Sequence, residues 1–194
     1  MIGALGVFDF WFAALMGMEG GYQDDPHDPG NSGGHGTNFG MTQPFFDRYR
    51  TLTHQPVMPT RFASVEDARM AYYTLIWTDK HTDAKGVSRV APKTGFVYAD
   101  AVVNQGPWAI GNLQAYVGAR VDGWFGPVSI ARLRLKVGNL GDDYVATDFL
   151  VRRKTRYLGT RNFDRYGHGW RERLNHVAQY CDLHWRWEAT DHAA

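Results

Sequence analysis

The chain has one cysteine, Cys181. A single thiol excludes an intrachain disulfide framework and a cysteine-based zinc finger. Basic residues are missing from the N-terminal stretch. No Lys or Arg precedes Arg48, so the basic n-region of a secretory signal is absent. Residues 1–18 are largely apolar, but Asp9 interrupts them. They fall short of the ~20 clean apolar residues that span a bilayer, and we read them as a core helix. There is no internal repeat and no low-complexity linker. There is no H-E-x-x-H, no P-loop and no Ser-centred G-x-S-x-G, so the motifs of zinc proteolysis, nucleotide hydrolysis and serine-esterase chemistry are lacking.

What is present suits a soluble globular chain with one sizeable core. The 194 residues are 44% apolar and 21% charged, with 14% aromatic residues including seven Trp. Net charge is only +1, but it is unevenly spread. From Ala119 onward 13 Lys/Arg face 9 Asp/Glu. A mildly basic C-terminal part suits an anionic polymer or is simply a solvated face.

The patterning is mostly helical. Phe8, Phe12, Leu15 and Glu19 share one face of a first helix that should stop at the glycine pair after Glu19. A Gly/Asp/Pro/Asn-rich loop follows over residues 23–36, and residues 37–42 predict a short strand or hairpin. Thr42 caps a helix running through Tyr49, with Pro44 in its first turn. Ser64 and Asp67 form a capping box for a helix reaching Trp77. Residues 80–93 read as loop and residues 95–104 as a buried helix. Further helices are predicted from Pro107 to about Gly118, from Pro127 to about Val137, over residues 142–158 and over residues 169–187.

The chemistry concentrates around Glu19. A carboxyl group in the last turn of an amphipathic helix meets partial burial and the negative end of the helix dipole, and both favour its neutral form. Asp24, Asp25 and Asp28 sit in a polar Gly/Pro loop and should stay ionised. Two carboxyl classes in opposed settings suit the acid and its partner in glycoside hydrolysis. A helix-end glutamate and turn-forming aspartates are the plainer alternative. Tyr22, Phe39, Trp77, Trp108 and Trp124 are candidates for stacking on sugar faces, or for core. Asp100 and Asn104 lie one turn apart on the buried helix, and a buried Asp needs partners. Arg152, Arg153, Lys154 and Arg156 form a basic cluster that either binds an anionic polymer or pairs with Asp142, Asp143 and Asp148. His168, His176 and His184 recur every eight residues, about 80° off alignment, and make no metal face. Cys181 reads as buried filler.

Glu19-Gly-Gly-Tyr22, Asp25-Pro, Asp28-Pro-Gly30 and Thr37-Asn-Phe-Gly-Met-Thr42 closely resemble the signature of glycoside hydrolase family 108, which contains N-acetylmuramidases of phage and bacterial origin. Asp100-Ala-Val-Val-Asn-Gln-Gly106, Leu113-Gln114 and Asp122-Gly-Trp-Phe-Gly-Pro127 resemble later family segments. Residues 163–177 resemble the end of a peptidoglycan-binding region. The resemblance implies a mainly α, lysozyme-like fold with a short β-hairpin or strand at the cleft. It implies a catalytic segment over 1–95, a helical peptidoglycan-binding segment over 96–187 packed with it as one unit, and a tail over 188–194. It assigns Glu19 as the catalytic acid. Asp28 with Thr37, or Asp25, is the second catalytic group, and Tyr22, Asn38, Phe39, Asn104 and Trp124 are substrate contacts. Residues 31–36 are longer than the family's glycine turn, which makes His35 an extra polar group near the cleft. The implied reaction is lysozyme cleavage of peptidoglycan with no metal and no cofactor. The implied partner is the wall, with no nucleic acid, and with contacts to anionic wall or outer-membrane polymers through the basic C-terminal helices. The implied protein is a monomeric phage endolysin, made in the host cytoplasm without a clear signal peptide and acting on the murein. A lytic transglycosylase, a non-catalytic wall-binding module and another polysaccharide hydrolase are the alternatives.

Overall fold

The computed structural model describes residues 6–19, 21–24 and 36–188. Helix α1 (Val7–Met18) buries Phe8, Trp11, Phe12 and Leu15. These rings pack against Tyr72, Tyr73 and Trp77, with Phe8 edge-on to Tyr73 at 4.9 Å and Trp11 stacked on Trp77 at 6.0 Å. Asp9 sits in the first turn, where a carboxylate complements the helix dipole, and meets Arg69 at 2.6 Å. Residues 7–18 of the apolar start form a core helix, as the interrupted pattern implies, and residues 1–5 lie outside the described ones. Among the described residues no helix is long and apolar enough to cross a membrane.

Strands β1 (Thr37–Asn38) and β2 (Met41–Thr42) form a two-stranded antiparallel hairpin. Its turn residues, Phe39 and Gly40, both have positive φ, 52° and 71°, the geometry that matches strand twist in a tight hairpin. Thr42 then caps α2 (Gln43–Leu52), its Oγ1 accepting from Phe45 N–H. A 3-10 turn, Thr60–Phe62, leads to α3 (Val65–Tyr72), which opens with the Ser64–Asp67 capping box. The predicted continuation to Trp77 is a π-helical turn, Tyr73–Trp77. Such a turn re-aims side chains, and here Leu75 and Ile76 line a cleft.

Residues 80–93 are not all loop. Helix α4 (Ala84–Val90) begins after Asp83, which adopts φ 42° and accepts from Gly86 N–H. It packs tightly on the next helix: a Cβ at Gly95 would collide with Ser88 Oγ. That helix, α5 (Pro92–Gln105), is buried from Thr94 through Val102. A helix apolar all round belongs in the middle of a core, and α5 contacts α1, α4, α6, α8 and α9. The boundary drawn at 95/96 falls inside it. Helices α6 (Pro107–Val117), α7 (Pro127–Leu140), α8 (Asp142–Leu158) and α9 (Phe163–Tyr180) complete the bundle. Asp142 caps α5 from outside, accepting from Lys93 N, Thr94 N and Thr94 Oγ1 at 2.6–2.9 Å.

Helix α9 starts and ends earlier than the predicted 169–187. Gly167 lies inside the helix, packed so closely that a Cβ there would lie 2.7 Å from the Phe163 ring. The helix stops where Asp182 takes φ 50° and Leu183 N–H returns to Ala178 O. Cys181 is buried, and burial pushes its thiol far up from the ordinary range.

Candidate active site

Glu19 caps the C-terminal end of α1 rather than lying in its last turn. Its backbone is extended at φ −89° and ψ 139°, while its N–H still bonds Leu15 O. The extended backbone turns the chain towards the hairpin. There Gln23 and Thr37 exchange both backbone hydrogen bonds, at 2.9 and 2.8 Å. The segment after Glu19 is thus laid alongside β1. The ends of the loop that contains Asp25, Asp28 and His35 are fixed beside it, although those three residues lie outside the described ones.

Glu19, Gly21, Tyr22, Gln23, Thr37 and Gly40 line a small pocket of about 210 Å³. Gly40 also lines a longer cleft of about 450 Å³ that runs past Thr42, Tyr72, Leu75, Val102, Gly106 and Gly123. Arg48 and Asp79 form an ion pair at 3.4 Å on the cleft wall. The Gly40 turn is tied down from behind by Tyr72, whose hydroxyl donates to Phe39 O at 3.1 Å. Burial, with Glu19's charge adding to it, pushes the Tyr72 hydroxyl well above the ordinary tyrosine value, so it remains a donor.

Gly40 meets two demands at once. Its φ is positive, and a Cβ there would sit 2.8 Å from Glu19 Cδ and 2.9 Å from Oε2. Gly40→Ala should therefore cost about 1–2 kcal/mol in backbone strain and also displace the carboxyl group. With Glu19 as the acid that the family resemblance implies, a displacement near 1 Å of its carboxyl group is worth about 10²-fold. We expect wall-clearing activity to fall roughly that far while a thermal melt shifts by a few degrees. Equal activity of the folded variant would show that the Glu19–Gly40 approach is not needed.

Behind Glu19 lies a charge cluster that the sequence reading did not assemble. Arg173 of α9 donates from Nη1 to Glu19 Oε1 at 2.7 Å. Its Nε and Nη2 donate to Asp100 Oδ1 at 3.1 and 2.8 Å. Arg153 of α8 donates to Asp100 Oδ2 at 2.6 Å and to Gln105 Oε1 and Val97 O. Asp100 and Arg153 are fully buried. Burial works against the Asp100 carboxylate, but the two guanidinium groups, Arg173 foremost, outweigh it and hold the group below its ordinary 3.8. For Arg173 the same contacts outweigh burial and raise its value further. The cluster thus sets two guanidinium groups against the carboxyl groups of Asp100 and Glu19. The expectation that burial and the helix dipole alone set Glu19's surroundings is corrected by this cation.

The other expected residues divide. Tyr22 is 44% exposed and lines the pocket together with the buried Thr37. Phe39 is half-buried in the turn. Asn38 points inward: it is buried and its Nδ2 donates to Thr60 O and Ala63 O, holding the hairpin to the 3-10 turn. Asn104 is exposed on α5, its Nδ2 donating to Asp100 O at 2.8 Å. Trp124 is 51% exposed next to Gly123 of the cleft. Trp77 belongs to the core, and Trp108 lies under the Arg156 guanidinium at 4.8 Å. The basic cluster of α8 is not one surface patch. Arg153 is the buried partner of Asp100, and Arg152 pairs with Asp148 at 2.8 Å. Asp142 and Asp143 instead serve Thr94 and Lys93.

Residues 12–106, which carry Glu19, the hairpin and α5, match the family model described as glycosyl hydrolase 108. The chain carries a family 108 glycosyl hydrolase domain. A solved structure of Brucella abortus SagA superposes with a TM-score of 0.71 at 23% identity, over 90% of this chain and 92% of that one. That likeness shows a shared fold, mainly α with one small hairpin. A comparison with curated proteins gave no match. The domain is that of a glycoside hydrolase, and peptidoglycan is the substrate that it implies. Arg153 and Arg173 lie beyond the matched segment. The clue to them in the sequence was Asp100 itself, a charge in an apolar helix that required cationic partners from elsewhere.

Proposed function

We propose that this family 108 hydrolase cleaves the β-1,4 bond between N-acetylmuramic acid and N-acetylglucosamine, with Glu19 as general acid. The observation that carries this is the placement of Glu19 in the lining of a pocket that shares Gly40 with the larger cleft. A glycan lying in the cleft would bring one glycosidic oxygen to that carboxyl. Glu19 gives its proton to the leaving oxygen. Asp28 or Asp25 stabilises the oxocarbenium-like sugar or activates water, and Thr37, buried beside Glu19, orients that water. Both steps are proton transfer and electrostatics and call for no cofactor. Tyr22 and Trp124 offer exposed rings for sugar faces. The role that fits best is that of a monomeric phage endolysin acting on the murein after release from the host cytoplasm.

The test is mass spectrometry of the fragments released from purified peptidoglycan. The muramidase reading expects new reducing N-acetylmuramic acid ends. Fragments ending in 1,6-anhydro-N-acetylmuramic acid would make the protein a lytic transglycosylase, in which no water is activated. Wall binding without soluble fragments would make it a binding module.

A further inference from the structure

The position of Arg173 bears on how the acid is presented. Glu19 follows α1 directly, while Arg173 stands in α9, and 154 positions separate them. The guanidinium is not a loose surface partner. Its side chain is 13% exposed, and two of its nitrogens are committed to the fully buried Asp100. Asp100 is held in turn by Arg153, which α8 keeps out of water. The planar fork of an arginine has fixed donor directions. With Nε and Nη2 spent on Asp100, the direction of Nη1 is set, and it falls on Glu19 Oε1 at 2.7 Å. The other carboxyl oxygen, Oε2, lies on the Gly40 side, close enough that a Cβ there would be 2.9 Å from it. The two oxygens therefore differ. One is bound from behind, and the other faces the hairpin where pocket and cleft meet.

We propose that Arg173 is the positioning residue of the acid, fixing Oε1 so that Oε2 is the oxygen that carries and delivers the proton. This rests on the reading of Glu19 as general acid. The proton leaves Oε2 for the glycosidic oxygen, the carboxylate so formed keeps its Nη1 contact, and no other bond to Arg173 changes. Asp100 and Arg153 aim Arg173 and do not touch substrate. Helix α9, outside the matched segment 12–106, is in this way part of the catalytic unit.

Steady-state cleavage by Arg173→Gln and Arg173→Lys, alongside Glu19→Gln, tests the idea. Arg173→Gln should lose about 10–10²-fold in kcat at nearly unchanged KM, as misplacement of a reacting group predicts. Arg173→Lys keeps the charge but cannot bridge both carboxylates, and should remain several-fold below the parent. Millimolar guanidinium ion should restore part of the kcat of Arg173→Ala without raising its melting temperature. Parent kcat in folded Arg173→Gln, or a loss that follows the unfolded fraction and ignores guanidinium, would overturn the proposal. Should Glu19→Gln cleave normally, the acid assignment itself falls, whatever the Arg173 variants do. An inert Glu19→Gln beside a fully active Arg173→Gln removes only the positioning role.

Discussion

Glu19→Gln should lose about 10²–10⁴-fold in cleavage rate, the usual worth of a positioned acid, and remain folded. Glutamine has the same shape, and its amide oxygen can still accept from Arg173 Nη1, so the pocket wall stays in place. What it lacks is a transferable proton. Changing the acceptor of this charged hydrogen bond, a contact worth about 1.5–3 kcal/mol, gives up part of that value. A lowered melt with retained wall binding is therefore part of the expected result. Turbidity clearing and product analysis of parent and variant at equal folded concentration provide the measurement. Cleavage at the parent rate would remove Glu19 from the reaction and leave the pocket without its acid.

The second large effect is on stability. Asp100→Asn should destabilise the fold by about 3–5 kcal/mol, because it breaks a buried ionic cluster from one side. For a chain of this size that is a fall in melting temperature of about 10 °C. Arg153 is fully buried and would face a neutral amide. The pH dependence has a definite sign. Asp100 is held below 3.8 in the fold, so the unfolded chain takes up its proton first as pH falls. The stabilisation is complete above the ordinary aspartate value and is lost as pH falls below it, through the lowered value. The stability gap between parent and Asp100→Asn should then be constant from neutral pH to about pH 5 and shrink below pH 4. Denaturant titrations across that range test this, and a gap unchanged at acid pH would show that charge is not the reason for Asp100.

The difference between what patterning revealed and what it concealed has a physical basis. Helix α5 was legible because apolar residues on every face leave no other place for it than the core. The caps at Thr42 and Ser64 were legible because they are local chemistry, a hydroxyl meeting the backbone three residues on. Helix α4 was hidden because it is short and contains Gly86, a residue that argues against helix. Only the tertiary fit against α5 decides it. Helix α9 takes in Gly167 and Gly169, two residues that argue against helix, and the Phe163 ring fills the space that a Cβ at Gly167 would need. At the site, Glu19 and its hairpin lie within one continuous stretch and could be read together. Arg153 and Arg173 could not, because a charged residue on an amphipathic helix looks the same whether it faces water or a buried aspartate.

The long separation between Glu19 and Arg173 bears on how the enzyme is made. Synthesis runs from the N-terminus at about 5–20 residues per second, so α9 follows Glu19 by roughly 8–30 s. By the end of that interval the nascent chain already has Glu19, its hairpin and helices α5 to α8, but not Arg173. A message cut short before α9, or a chain clipped ahead of it, would yield the whole family-matched segment with a slack acid. With Arg173 in the positioning role proposed above, full activity would come only once α9 is in place.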